Sequence, residues 1–360
     1  MHKIKKLLSQ GNTPFYQFKD SNDRTWLIPE SNMATAMDLY NPTGRRAAVI
    51  KEWFPTLHRL PFADRAFNTV RNKYRLNPEM QSIAKEAFGV DDIEYSILGG
   101  TLSVSNVITI QFFKGKRILG YGKVTDNPDV EQRFIKEHIL LDYLWKLHVY
   151  GIPKSLLVKR LDNGSTISLQ TSEKRASSHS PQIWTPLHED FLNEMAVKTA
   201  VPVPFLESDF YGNLGELTKR LQSLPEEIRQ TVSDSLGAVH RDFGVDTYVF
   251  TTYHGNFTPR NMYVNGNRLF VANWENAELS YPPTLDRYHF LTHQYIHTEH
   301  LSAIEVYNAI CRHKWYDANL FRCYLLDRVY RTMCHNDGET RCESEMLKVW
   351  SRLLFYTYRK

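Results

Sequence analysis

The order of patterns between Glu94 and Thr171 constrains this chain most. Tyr95-Ser96-Ile97-Leu98, residues 107–113 and residues 118–124 are three short apolar runs, and Lys114-Gly115-Lys116 turns the second into the third. Short runs punctuated by glycine-bearing turns read as successive strands. A long helical pattern follows. Asn127 stands at its cap and Pro128 at its first position, with Gly151 beyond its end. Within it, Phe134, Ile135, Ile139, Leu140, Tyr143, Leu144 and Leu147 recur at helical spacing. Two more strand patterns, Leu156-Leu157-Val158 and Thr166-Ile167-Ser168-Leu169, flank the turn Asp162-Asn163-Gly164. Three strands, one long helix and two strands make an α+β arrangement.

The flanks are more helical. The first 90 residues show one short strand, Thr25-Trp26-Leu27-Ile28, and end in a helix with Asn77 at the cap, Pro78 inside it and Gly89 after it. After a polar stretch at 172–180, helical patterns resume from Pro186, with Pro225-Glu226-Glu227 as a start signal, and only two short strands interrupt them near 254–274. We therefore expect residues 1–90 to form a mainly helical extension. Residues 91–172 are expected to form a strand-rich lobe with one long helix, and residues 173–360 a helical lobe carrying a hairpin.

Charge and composition exclude several partner classes. The formal net charge over 360 residues is only +4, with basic and acidic residues interleaved, so no nucleic-acid footprint is expected. No stretch of about 18 apolar residues is present, and the basic N-terminus is not followed by an apolar run of leader length. The expected location is the cytoplasm, away from membranes. Cys311, Cys323, Cys334 and Cys342 lack paired knuckle spacing and read as core thiols of a reducing compartment.

One segment carries chemistry. His254-Gly255-Asn256-Phe257-Thr258-Pro259-Arg260-Asn261 follows the strand Tyr248-Val249-Phe250. Met262-Tyr263-Val264, the turn Asn265-Gly266-Asn267, and Leu269-Phe270-Val271-Ala272-Asn273-Trp274-Glu275 come next. This block resembles the aminoglycoside phosphotransferase and choline kinase-like family, whose motif is His-Gly-Asp, four residues, Asn, a hairpin and Asp-Trp-Glu. The spacing is met, as are His254, Gly255, Thr258, Pro259, Asn261, Trp274 and Glu275. The resemblance spans roughly residues 94 to 300 and implies a protein-kinase-like bilobal fold, here with a helical N-terminal extension, that uses ATP and magnesium. It implies that Lys123, on the third strand, holds nucleotide phosphates and that Glu137, in the following helix, pairs with it. Gly99, Gly100 and Thr101 fall where the family covers the phosphates. Asn261 is the family's second magnesium ligand, His254 is structural, and Asp286 matches an acidic position after the metal-binding segment.

Two positions depart from the family. Asn256 replaces the aspartate that orients and deprotonates the substrate hydroxyl, and Asn273 replaces the main magnesium ligand. An amide takes up no proton near neutral pH and presents a donor where a carboxylate presents lone pairs. Three readings stay open: a degenerate pseudokinase acting by nucleotide or partner binding, an active phosphotransferase on a small hydroxylated substrate, and a helical interaction protein.

Overall fold

The computed structural model describes all residues except 1–3, 5–6, 22–23, 42–43, 100–106, 176–177, 335–340 and 359–360; the side chains of Cys334 and of residues 341–344 are also not described. The chain divides into two compact units. The first holds residues 1–142 and 153–178, and the second holds residues 143–152 and 179–360.

The first unit is built on an eight-stranded antiparallel sheet. Its strands are β1 (Leu8–Lys19), β2 (Thr25–Pro29), β3 (Val70–Leu76), β4 (Glu94–Gly99), β5 (Ile108–Lys114), β6 (Arg117–Thr125), β7 (Ser155–Arg160) and β8 (Thr166–Thr171), in the spatial order β3-β1-β2-β4-β5-β6-β8-β7. The five strands expected between residues 94 and 171 are β4 to β8. In the first 90 residues the sequence announces one strand and the structure has three. The hidden pair, β1 and β3, is polar: β3 reads Val-Arg-Asn-Lys-Tyr-Arg-Leu and lies at the sheet edge, where charged residues discourage further pairing. β1 pairs with β3 across a register shift between Gln10 and Thr13, which further blurs its alternation.

Both faces of this sheet are covered. Helix α1 (Arg45–Leu57) places Ile50 and Phe54 against Tyr16, Phe18, Trp26 and Ile28. Helix α2 (Pro78–Phe88) sets Met80, Ile83 and Ala84 on the opposite layer with Phe15, Leu27, Ile97 and Ile110. Alternate residues of one strand thus serve different layers, as the period of two demands. Asn77 accepts the Glu79 N–H at 2.8 Å and Gly89 closes α2 at φ 63°, so the cap, proline and glycine signals all act where expected. Helix α3 (Pro128–Lys146) follows β6.

In the second unit, α4 (Pro186–Thr199) packs against the strand Thr247–Tyr253, and α5 (Asp209–Lys219), α6 (Glu226–Phe243), α7 (Leu285–His297), α8 (Ala303–Cys311), α9 (Ala318–Cys334) and α10 (Arg341–Tyr356) enclose an aromatic-rich core. Its strands are β9 (Val201–Pro204), β10 (Thr247–Tyr253), β11 (Met262–Asn265), β12 (Arg268–Val271) and β13 (Glu278–Tyr281). β10 lies between β13 and β9, and β11 with β12 forms the hairpin around Asn265-Gly266-Asn267. Tyr288, Phe321, Tyr324, Leu353 and Leu354 are fully buried in this core. Among the described residues no helix is long and apolar enough to cross a membrane.

Candidate active site

Strand β10 delivers the motif into a loop whose backbone is fixed by buried groups. His254 is fully buried; its Nε2 donates to the Ala272 carbonyl at 3.0 Å and its Nδ1 accepts the Asn256 N–H at 3.2 Å. One nitrogen donates and the other accepts, so the ring is neutral, and burial holds its pKa down at about 4. It ties the loop to the end of the β11–β12 hairpin. Asp286, at the start of α7, accepts the backbone N–H of His254 at 2.7 Å and of Gly255 at 3.1 Å. Burial pushes its pKa up to about 7. Gly255 has φ 75°, and a Cβ there would lie 2.6 Å from the Asn276 carbonyl, so the close approach excludes a side chain.

Beneath the loop lies a buried ionic network. Arg331 donates Nε to both carboxylate oxygens of Asp327 at 2.9 Å and Nη1 to the Asn276 carbonyl at 2.8 Å. Tyr253 and Tyr281 donate to the same carboxylate at 2.9 and 3.1 Å. A buried ion pair whose oxygens are this fully satisfied sets geometry more than net stability.

The three asparagines of the motif come together. Asn261 donates Nδ2 to the Asn256 carbonyl at 2.8 Å, which leaves its Oδ1 facing Asn273, and Asn273 Nδ2 donates to that oxygen at 2.8 Å. Asn273 sits at φ 63°, a left-handed conformation asparagine tolerates. The Asn256 side chain makes no hydrogen bond to another described residue. The fit of a divalent cation can be judged from this donor set. Two aspartate-like acceptors facing each other need a cation between them. Here the Asn273 amide itself occupies the Asn261 oxygen, and magnesium favours anionic oxygen ligands. No cluster of three metal-ligating His, Cys, Asp or Glu side chains occurs among the described residues. The residues present do not fit a magnesium ion. Nor do nearby acids substitute: Asp242 pairs with Arg322 at 3.5 Å, and Glu275 is exposed.

In the first unit, Lys123 on β6 reaches Glu137 on α3 at 3.5 Å, with the Glu137 side chain completely buried and that of Lys123 partly exposed. Gly99 is the last residue of β4, buried against Ile4 and Ile108, so it belongs to the sheet. Gly100 and Thr101 lie outside the described residues.

A cavity of about 450 Å³ adjoins the loop within the second unit, and Asn256 and Asn261 line it. Its other walls come mainly from α7, α9 and α10, in which the sequence reading singled out only Asp286 for the site. The available signal was His289, His293 and His297, spaced four apart and therefore on one face of a helix. Cys311 and Cys323 are free thiols, and Cys323 is buried.

No model of a known protein family matches the chain, and no curated protein matches it. Solved structures do. A thermostable mutant of aminoglycoside phosphotransferase APH(4)-Ia in its apo form aligns over 78% of this chain and 100% of its own, at 14% identity and a TM-score of 0.53. A ternary complex of such a mutant with ADP and hygromycin B aligns over 78% and 99%, at 12% identity and a TM-score of 0.52. The structure of aminoglycoside phosphotransferase APH(4)-Ia itself gives the same coverage, identity and score as that complex. Identities this low speak for the fold alone, so the chain has the kinase-like α+β fold seen in aminoglycoside phosphotransferases.

Proposed function

We propose that this protein is a degenerate phosphotransferase, a pseudokinase that transfers phosphoryl groups weakly or not at all and acts by binding a nucleotide or a partner. The observation that carries this reading is the 2.8 Å hydrogen bond from Asn273 to Asn261. Phosphoryl transfer in this fold depends on positioning and on charge neutralisation borne by metal ions. An amide pair closed on itself offers neither the charge nor the open lone pairs for that. At Asn256 the loss is of a general base, an effect worth about 100- to 10,000-fold in rate.

The competing reading, an active ATP-dependent phosphotransferase on a sugar, aminoglycoside or amino alcohol hydroxyl, draws on one observation. The Lys123–Glu137 pair is formed, with the Glu137 carboxylate fully buried. In the degenerate reading this pair serves nucleotide binding that does not need magnesium. Isothermal titration with ATP, with and without magnesium, separates the two. We expect weak binding that magnesium leaves unchanged, and no phosphoryl transfer in single turnover over a panel of hydroxyl compounds. Magnesium-dependent micromolar binding with transfer would establish the enzyme instead. Replacing both Asn256 and Asn273 by Asp should make ATP binding magnesium-dependent.

A further inference from the structure

The cavity beside the motif loop is basic on every described side that carries charge. Arg260, Arg328 and Arg331 line it together with His289, His293 and His297, and no carboxylate is among the described residues lining it. Arg331 is already neutralised by Asp327. Arg328 is not: its Nη1 donates to the neutral Gly255 carbonyl at 3.0 Å, and it makes no ion pair among the described residues. Arg260 is exposed and has neither a hydrogen bond nor an ion pair among them. Two guanidinium charges therefore border one cavity without a counter-charge among the described residues.

The walls are also short of acceptors. His289 Nε2, His293 Nδ1, Arg328 Nε and Arg331 Nη2 are buried nitrogens with no hydrogen-bond partner. The two guanidinium nitrogens among them are necessarily donors that have given up water without gaining a partner, so a ligand rich in acceptor oxygens is favoured near them. Burial above all, with smaller contributions from His297, Arg260 and Arg328, holds the His293 pKa down at about 4, so the permanent positive charge bordering the cavity is that of the arginines. Guanidinium groups match phosphate oxygens in geometry as well as charge. The volume of about 450 Å³ exceeds what bare phosphate needs and lies within the usual range for small-molecule sites. Met346 and Trp350 give the same cavity an apolar surface on which a sugar-sized group can rest.

We propose that this cavity binds a small phosphomonoester of about monosaccharide size, with Arg260 and Arg328 holding its phosphate. The inference deepens the binding reading above and rests on it for the location of the site. It sets this chain apart from a receptor for polycations, because the same two arginines repel an aminoglycoside.

The test is calorimetric titration at constant ionic strength, without nucleotide or metal, using inorganic phosphate, glucose 6-phosphate, glucose and hygromycin B as probes. Glucose 6-phosphate should bind about tenfold or more tightly than glucose, inorganic phosphate should compete with it, and hygromycin B should not bind. Arg260→Gln and Arg328→Gln should each weaken glucose 6-phosphate by about tenfold. Arg260 is exposed, so its variant remains informative if the Arg328 change disturbs folding through the Gly255 carbonyl. Equal binding of glucose and its phosphate, or arginine variants that bind as the parent does, would overturn the proposal. So would displacement of glucose 6-phosphate by ADP, which would assign the phosphate preference to a nucleotide. Single turnover with ATP is scored separately: transfer would defeat the pseudokinase reading and leave the phosphate site standing.

Discussion

At the scale of single residues, exchanging one oxygen for an NH2 group changes what two side chains can do to each other. Asn273 donates to Asn261 because one is a donor where the other is an acceptor. Asn273→Asp places two acceptors against each other at that contact. In metal-free buffer the variant should lose about 1 kcal/mol, the lower end for an unmet polar contact because the site is only half-buried. Millimolar magnesium should restore its melting temperature and leave the parent protein's unchanged. Parent-like melting of the variant in metal-free buffer would show that the amide contact places no such constraint. His254 illustrates the opposite case. Its hydrogen bonds on both ring nitrogens hold it as a neutral tie between two stretches of backbone.

Among the elements, local signals identified those with their own start and stop chemistry. Helix α2 is the clearest: an asparagine cap, a proline and a terminal glycine act within eleven residues of helix. Asn77→Ala should cost about 1 kcal/mol, read as a lower urea midpoint at unchanged slope. A midpoint equal to the parent's would mean that tertiary packing alone holds the helix start. Strands β1 and β3 escaped the same reading for a physical reason. β1 is held by pairing with β2 and β3 and β3 by pairing with β1, while the charged composition of β3 answers the need to keep an edge from pairing further. Likewise Gly99 was legible as a glycine near a loop, and only its packing against Ile4 and Ile108 places it in the sheet.

At the scale of the whole molecule, buried titratable groups in the second unit link its stability to pH. Burial holds His188, His254 and His293 at about 4, below their ordinary 6.5. Two of them accept a backbone N–H on Nδ1, from Thr185 and Asn256, so protonation there breaks a bond as well as adding a charge. Between pH 6.5 and 4 the unfolded chain takes up protons that the folded form refuses, and stability falls with acidification. Asp286 works the other way. Its folded pKa, near 7, lies above the ordinary 3.8, so its contribution grows as pH falls through 7 and is lost as pH rises. These three histidines, joined by His289, His297 and His313, which burial also holds low, outweigh one carboxyl, and urea midpoints should be lower at pH 5 than at pH 7. A higher midpoint at pH 5 would show that Asp286 dominates.

The sequence by itself determined the α+β class, the caps of α2, the motif frame from His254 to Glu275 and the two amides at 256 and 273. These depend on residue type and on spacing along a few turns of chain, and local chemistry is enough to express them. Tertiary structure alone decided that Asn273 closes on Asn261, that Asp286 anchors the loop backbone and that α7, α9 and α10 surround a basic cavity beside it. Each of these is a partnership between distant segments. A hydrogen bond or an unpaired charge is defined by what lies within about 3 Å in space, and periodicity along the chain carries no record of that.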